Sequence, residues 1–354
     1  MTRATGRPVP KTRASARAVR SWARLSDEEL LKMRFCDLKL AIERSPLKHY
    51  VRRLYADLER RGLKLRPHVW LSEEWFSPDG VPGIAIPFYL AHPRLERLER
   101  RMMHAVEGGN TRWLMRILRH EAGHALDNAY RLRRRASWRE TFGPASLPYP
   151  ERYRARPGSR RYVHHLGDWY AQAHPTEDFA ETFAVWLKPN SNWRRAYAQW
   201  PAFQKLCRVD ELMMSVRDRK APVRNRRRIE SIAQDTRTLA EVYCDKLARR
   251  RSDRRGMVEE LVQKVFRAQP VPRDAVRAST LIRSMKTQLV NSVSRELKLE
   301  RYSIYQLLRM IMERCDALKL HVRGNRRDAG RHVRWMLIRL ARLYAQGETP
   351  HFPL

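Results

Sequence analysis

At 354 residues the chain is long enough for two domains with a sizeable buried core, and 43% hydrophobic residues place it among globular proteins. No apolar run approaches bilayer length, and the four cysteines (Cys36, Cys207, Cys244, Cys315) form no Cys-x-x-Cys pair. That excludes a membrane span, a disulfide framework and a zinc ribbon, and it makes the cytoplasm the default compartment. The formal net charge of +35 demands a surface that attracts polyanions but dictates neither fold nor reaction.

Residues 1–25 are Arg-rich, acid-free and without periodicity, which reads as a disordered basic tail rather than an organelle transit peptide. Order is expected from Ser26, where Ser26-Asp27-Glu28-Glu29 forms a capping box. A second helix is punctuated by Ser45, Pro46 and Gly62, with Leu47, Val51, Leu54 and Leu58 on one face. Residues 68–76 and 83–90 are rich in aromatic and branched side chains around the turn Ser77-Pro78-Asp79-Gly80. They predict a small edge sheet, with Pro87 marking the second strand as the edge. Helices are predicted over 94–106, 111–130 and 176–187, and the prolines between 144 and 157 make 131–167 irregular.

Beyond Asp218 the run Arg224, Arg226, Arg227, Arg228 reads as a linker. Residues 219–354 then carry 32 Lys plus Arg against 14 Asp plus Glu and are almost purely helical in pattern. Met257, Val258, Leu261, Val262, Val265 and Phe266 form one apolar stripe, and Trp335, Ile338 and Leu343 contribute to another. The expected layout is a tail over 1–25, a mixed α+β domain over 26–218, and an all-α bundle of four or five helices over 219–354.

The chemistry is concentrated in His120-Glu121-Ala122-Gly123-His124. Residues four apart share a helix face, so His120 and His124 can grip one ion, and Glu121 can act on a metal-activated water as general base. Gly123 is read as leaving room beside the metal. A catalytic zinc needs a third protein ligand. The metzincin spacing is excluded because its glycine and third histidine positions hold Asp127 and Tyr130. The segment from His174 to Ala184 offers Glu177 and Glu181 on one face, one to bind the metal and one to orient an imidazole. Asp127 is either a partner behind a ligand or a helix-surface acid. His164, His165 and His174 read as hydrogen-bonded or solvated histidines. Trp22, Trp70, Trp75, Trp193 and Trp335, set among arginines, read mainly as core and secondarily as stacking surfaces for nucleic acid.

With these residues together, the pair Arg119-His120-Glu121-Ala122-Gly123-His124-Ala125-Leu126-Asp127 and His174-Pro175-Thr176-Glu177-Asp178-Phe179-Ala180-Glu181 resembles a bacterial zinc-binding metallopeptidase family. More distantly it is similar to the glutamate-zincins that include the anthrax lethal factor catalytic domain and Mlc titration factor A. The resemblance covers about 25–217. It implies a zincin-like metallopeptidase domain, Glu177 as third zinc ligand, and Glu181 supporting from behind. It also implies a transition-state tyrosine seven positions before the ligating glutamate, which is Tyr170.

The expected function is a zinc (Zn2+) peptidase acting on a peptide or protein substrate, with nonspecific polyanion binding besides and an edge strand around 83–86 holding an extended peptide. The competing reading is a nucleic-acid- or protein-binding module on a zincin scaffold without turnover. No helix-turn-helix, zinc-finger or RNA-binding signature supports it.

Overall fold

The computed structural model describes residues 22–345 apart from 104–105, 151–152, 154, 157, 168, 269–274, 300 and 323–324. It divides into two compact units, the first running to Glu241 and the second from Val242.

Of the expected tail, 1–21 lie outside the described residues. Order nevertheless begins before Ser26, because Trp22 is buried and its Nε1 donates to Leu38 O at 3.2 Å. Helix α1 (Asp27–Leu31) starts on the expected capping box, with Ser26 Oγ accepting from Glu29 N–H and the Glu29 carboxylate accepting from Ser26 N–H. Helix α2 (Leu47–Arg60) buries Leu47, Val51, Leu54 and Leu58.

Strands β1 (His68–Ser72) and β2 (Gly83–Pro87) pair in parallel, in the register His68 with Gly83 through Ser72 with Pro87. This corrects the expectation of an edge strand. After β1 the chain crosses to the far side of β2, where Phe76 makes an antiparallel bridge to Ala85, and the turn at Pro78 to Gly80 then leads into β2. Strand β2 is therefore flanked on both sides and all five residues are buried. Ala85 N–H already donates to Phe76 O at 2.8 Å, so the middle of β2 offers no free edge to an incoming peptide. Pro87 is tolerated because it is the last residue of the strand, where the chain turns into the 3-10 segment Phe88–Ala91.

Helix α3 (Pro93–Met103) leads to α4 (Thr111–Tyr130), which is buried almost throughout from Leu114 onward. The region expected to be irregular contains a two-turn helix, α5 (Ala136–Phe142), anchored by Trp138 and Phe142. Helix α6 (Pro175–Leu187) packs directly on α4, and α7 (Trp193–Ala196) and α8 (Ala202–Val216) follow. A mixed helical unit with a small two-stranded parallel sheet is compatible with a zincin-like domain.

The boundary expected at 218/219 lies inside the first unit. The arginine-rich segment runs along it through main-chain contacts. Val223 N–H donates to Ala129 O at 3.2 Å, Trp70 Nε1 donates to Ile229 O at 2.8 Å, and Ser72 Oγ donates to Glu230 O at 2.8 Å. Composition reports side chains, and here the backbone makes the contacts.

The second unit holds α9 (Leu239–Val265, whose first residues belong to the first unit), α10 (Ala278–Ser284), α11 (Lys286–Leu297), α12 (Arg301–Ala317) and α13 (Arg326–Ala345). It is not purely helical: β3 (Phe266–Arg267) and β4 (His321–Val322) form a short antiparallel pair. Val258, Leu261, Val262 and Phe266 of the expected stripe are buried in its apolar core. Among the described residues, no helix is long and apolar enough to cross a membrane.

Candidate metal centre

Helix α4 begins where Asn110 Oδ1 accepts from Trp113 N–H at 2.9 Å. Helix α6 begins where the His174 ring accepts from Thr176 N–H at 3.2 Å, with Pro175 at its first position, where the missing N–H costs nothing. Both helices are thus started by local polar groups and then driven together by apolar ones. Gly123 sets how close they come. A methyl group there would stand 3.0 Å from Ala180 Cα and 3.2 Å from the Phe183 ring. The glycine therefore makes room for α6, not for a metal as its position in the motif suggested.

That close approach brings three side chains to one point. His120 Nε2 lies 3.0 Å from Glu177 Oε2 and 3.1 Å from His124 Nε2, and His124 Nε2 lies 3.2 Å from Glu177 Oε2. All three residues are buried, and theirs is the one group of three or more metal-binding side chains among the described residues. Donors held tetrahedrally by one zinc at about 2.0–2.1 Å stand roughly 3.3 Å apart. The near-equilateral triangle of two imidazoles and one carboxylate matches that edge, so the residues fit a zinc ion.

Glu181 stands behind His120. Its Oε1 accepts from His120 Nδ1 at 2.9 Å while its Oε2 accepts from Leu166 N–H at 2.8 Å. The contact reserves the lone pair of Nε2 for the shared point. Burial opposes charge on His120, but the Glu177 and Glu181 carboxylates overcome it and raise its pKa well above the ordinary value. Burial would likewise raise Glu177, yet the neighbouring histidines hold its carboxyl well below the usual range.

Glu121 is buried beside this triangle, and its Oε2 has no hydrogen-bond partner. Burial raises its pKa, the two histidines pulling the other way. Tyr170 opens the short 3-10 turn Tyr170–Gln172, with its ring centre 5.7 Å from that of His120. Burial, then the Glu177 charge, push its hydroxyl well above its ordinary pKa, so it remains a donor. Trp169 just before it adopts φ 60°, a left-handed conformation unusual for a bulky residue, and this turns the chain into the site.

Asp127, read as either a partner behind a ligand or a surface acid, is neither. It is buried, and both of its oxygens accept from Arg133: Oδ1 from the main-chain N–H at 2.8 Å, Oδ2 from Nε at 2.5 Å. It closes the C-terminal end of α4 instead of orienting His124. His165 is also buried, pairing through Nε2 with Arg116 O at 3.0 Å, and desolvation lowers its pKa to about 4. His174 pairs through Nε2 with Leu147 O at 2.9 Å and serves as the cap of α6.

Tyr149 went unnoticed in the sequence. Its hydroxyl donates to Glu177 Oε1 at 2.7 Å and lies 2.6 Å from Thr176 Oγ1, while its ring stacks on His174 with centroids 4.0 Å apart. Its only sequence signal is its place between Pro148 and Pro150, a stiff segment that points to no partner.

No curated protein and no solved structure matches the chain. Residues 94–239, which contain every residue of this site, match the family model described as "Putative zinc-binding metallo-peptidase".

Proposed function

We propose that the first unit is a zinc-dependent peptidase that hydrolyses peptide bonds with an activated water. One observation carries this reading: three ligand atoms converge while the neighbouring Glu121 Oε2 is buried without a partner. Structural zinc sites close all four positions with protein ligands, whereas three ligands leave one open for chemistry. A binding module without turnover has no use for a buried base beside that open position.

The chemistry zinc supplies there is Lewis-acid polarisation of the scissile carbonyl and a lowered pKa for the attacking water. Glu121 takes the water's proton at Oε2 and returns it to the leaving amine, a task that its raised pKa favours. The Tyr170 hydroxyl donates to the oxyanion as it develops. Glu181 keeps the His120 tautomer that ligates, and Tyr149 holds the Glu177 carboxylate by its other oxygen.

Protein purified without added zinc is expected to carry about one ion per chain, lost in His120→Ala and His124→Ala and largely lost in Glu177→Ala. Glu121→Gln should keep the metal and lower peptide turnover by about 100- to 10,000-fold in a proteome-derived peptide screen. Wild-type turnover in Glu121→Gln would sink the mechanism. Full zinc in Glu177→Ala would show that the third ligand lies elsewhere.

A further inference from the structure

Sequence periodicity put Trp335 in an apolar stripe, but the structure turns it outward. Helix α13 packs on its own unit through Ala329, Val333, Met336, Leu337, Leu340 and Ala341, all buried, while Trp335 is 50% exposed. A single exposed apolar side chain is common on protein surfaces; what sets this indole apart is the charge around it.

The surroundings say which partner. At about 100° per residue, Arg331, Arg339 and Arg342 fall within about 40° of Trp335 on the helix surface, and Arg327 borders them. From Arg327 to Arg342 the strip is about 22 Å long. The Arg339 guanidinium lies over the Trp335 ring, 5.5 Å from its centroid. Arg331 pairs with Asp328, and Arg334 pairs with Glu296. Among the described residues, Arg327, Arg339 and Arg342 have no carboxylate in ion-pair reach. The strip is a flat π surface, partly covered by a second planar group and flanked by the guanidinium groups of Arg327 and Arg342, which have no carboxylate partner among the described residues.

We propose that this face of α13 binds single-stranded nucleic acid. Trp335 and the Arg339 guanidinium plane stack on unpaired bases, and Arg327 and Arg342 neutralise phosphates along the strand. A duplex hides its base faces from an indole. An anionic membrane would need a broader apolar face than this one, where Trp335 is exposed and Ile338 is only half-buried. The inference concerns the second unit and does not depend on the peptidase reading.

The test is fluorescence anisotropy of the full-length protein with labelled oligothymidine and oligouridine of about 15 nucleotides, over a series of salt concentrations. Trp335→Ala should weaken binding about 10-fold or more, while Trp335→Phe keeps most of the affinity. The triple substitution Arg327→Ala, Arg339→Ala and Arg342→Ala should flatten the salt slope by about 1.4. A control triple on α2, Lys48→Ala, Arg52→Ala and Arg53→Ala, removes equal charge from the first unit and should have a smaller effect. Melting temperatures should stay at the wild-type value, since all of these side chains are exposed. Unchanged affinity in Trp335→Ala, or an equal loss in the control triple, would reduce the binding to the diffuse attraction of a highly basic chain and overturn the proposal. Trp335-dependent binding to polyglutamate or to phosphatidylglycerol–phosphatidylcholine vesicles, without such binding to the oligomers, would overturn it in favour of an acidic protein or a membrane.

Discussion

The two units treat charge in opposite ways. In the first, ionisable groups go inside: Asp57 with Arg119, Asp127 with Arg133, Asp178 with Lys205, and His120 with Glu181. In the second, the core is apolar, and among the described residues only Lys246 and Ser279 are polar and buried. None of the second unit's described arginines is buried. Burying an ion costs several kcal/mol unless it is paired and hydrogen-bonded, so a fold that accepts this repeatedly is holding those groups in place for a reason. The first unit does so around the α4 and α6 contact, where the proposed chemistry needs fixed tautomers and a dry base. The second uses ordinary hydrophobic packing to present a basic surface.

The contrast can be broken most sharply at Asp57. Its carboxylate lies 2.7 Å from Arg119 Nη2, inside the protein, and also accepts from Arg60 Nη2 at 2.6 Å. Asp57→Ala strands a buried guanidinium and should cost about 3–5 kcal/mol in urea unfolding, with the apolar double replacement Asp57→Leu, Arg119→Met recovering much of it. Leu337→Ala in the second unit should cost a similar amount, about 2–5 kcal/mol, by leaving a cavity, and should leave zinc content unchanged. A cost below about 1 kcal/mol for Asp57→Ala would mean that burial of charge in the first unit is incidental.

Tyr170→Phe tests the catalytic half of the comparison. The ring stays packed and one hydroxyl is lost, so zinc content and melting temperature should hold while kcat falls roughly 100- to 1000-fold at similar KM. If kcat is unchanged and only stability falls, Tyr170 is a core residue and leaves the mechanism.

The smallest effect is expected from Tyr149→Phe. Losing its hydrogen bond to Glu177 should weaken zinc binding about 10-fold in a chelator competition, with little change in melting because the ring is half exposed. Unaltered zinc affinity would show that Glu177 is held by the helix alone.

Much of the site was legible in the residues because its signals are local. A helix puts positions four apart on one face whatever surrounds it, so His120 with His124, and Glu177 with Glu181, could be paired from spacing. The capping residues of α1 and α2 were readable for the same reason. Tyr149 could not be found this way, because its contact with Glu177 spans 28 residues across a loop whose path depends on α6 being in place. Gly123 and Asp127 were misread because their partners, Ala180 and Arg133, are set by helix packing and by the turn after α4.

By itself, the sequence determined the helices that carry the motif, the residue types able to hold zinc, and the basic character of the chain. Those depend on short-range periodicity and on composition. Only the tertiary structure decided that β2 lies between two neighbours, that the arginine-rich segment belongs to the first unit, and that Trp335 faces water. Each of these turns on which distant segment satisfies a strand edge, a carbonyl or an apolar face. Such competition among long-range partners is settled by packing and leaves no trace in local spacing.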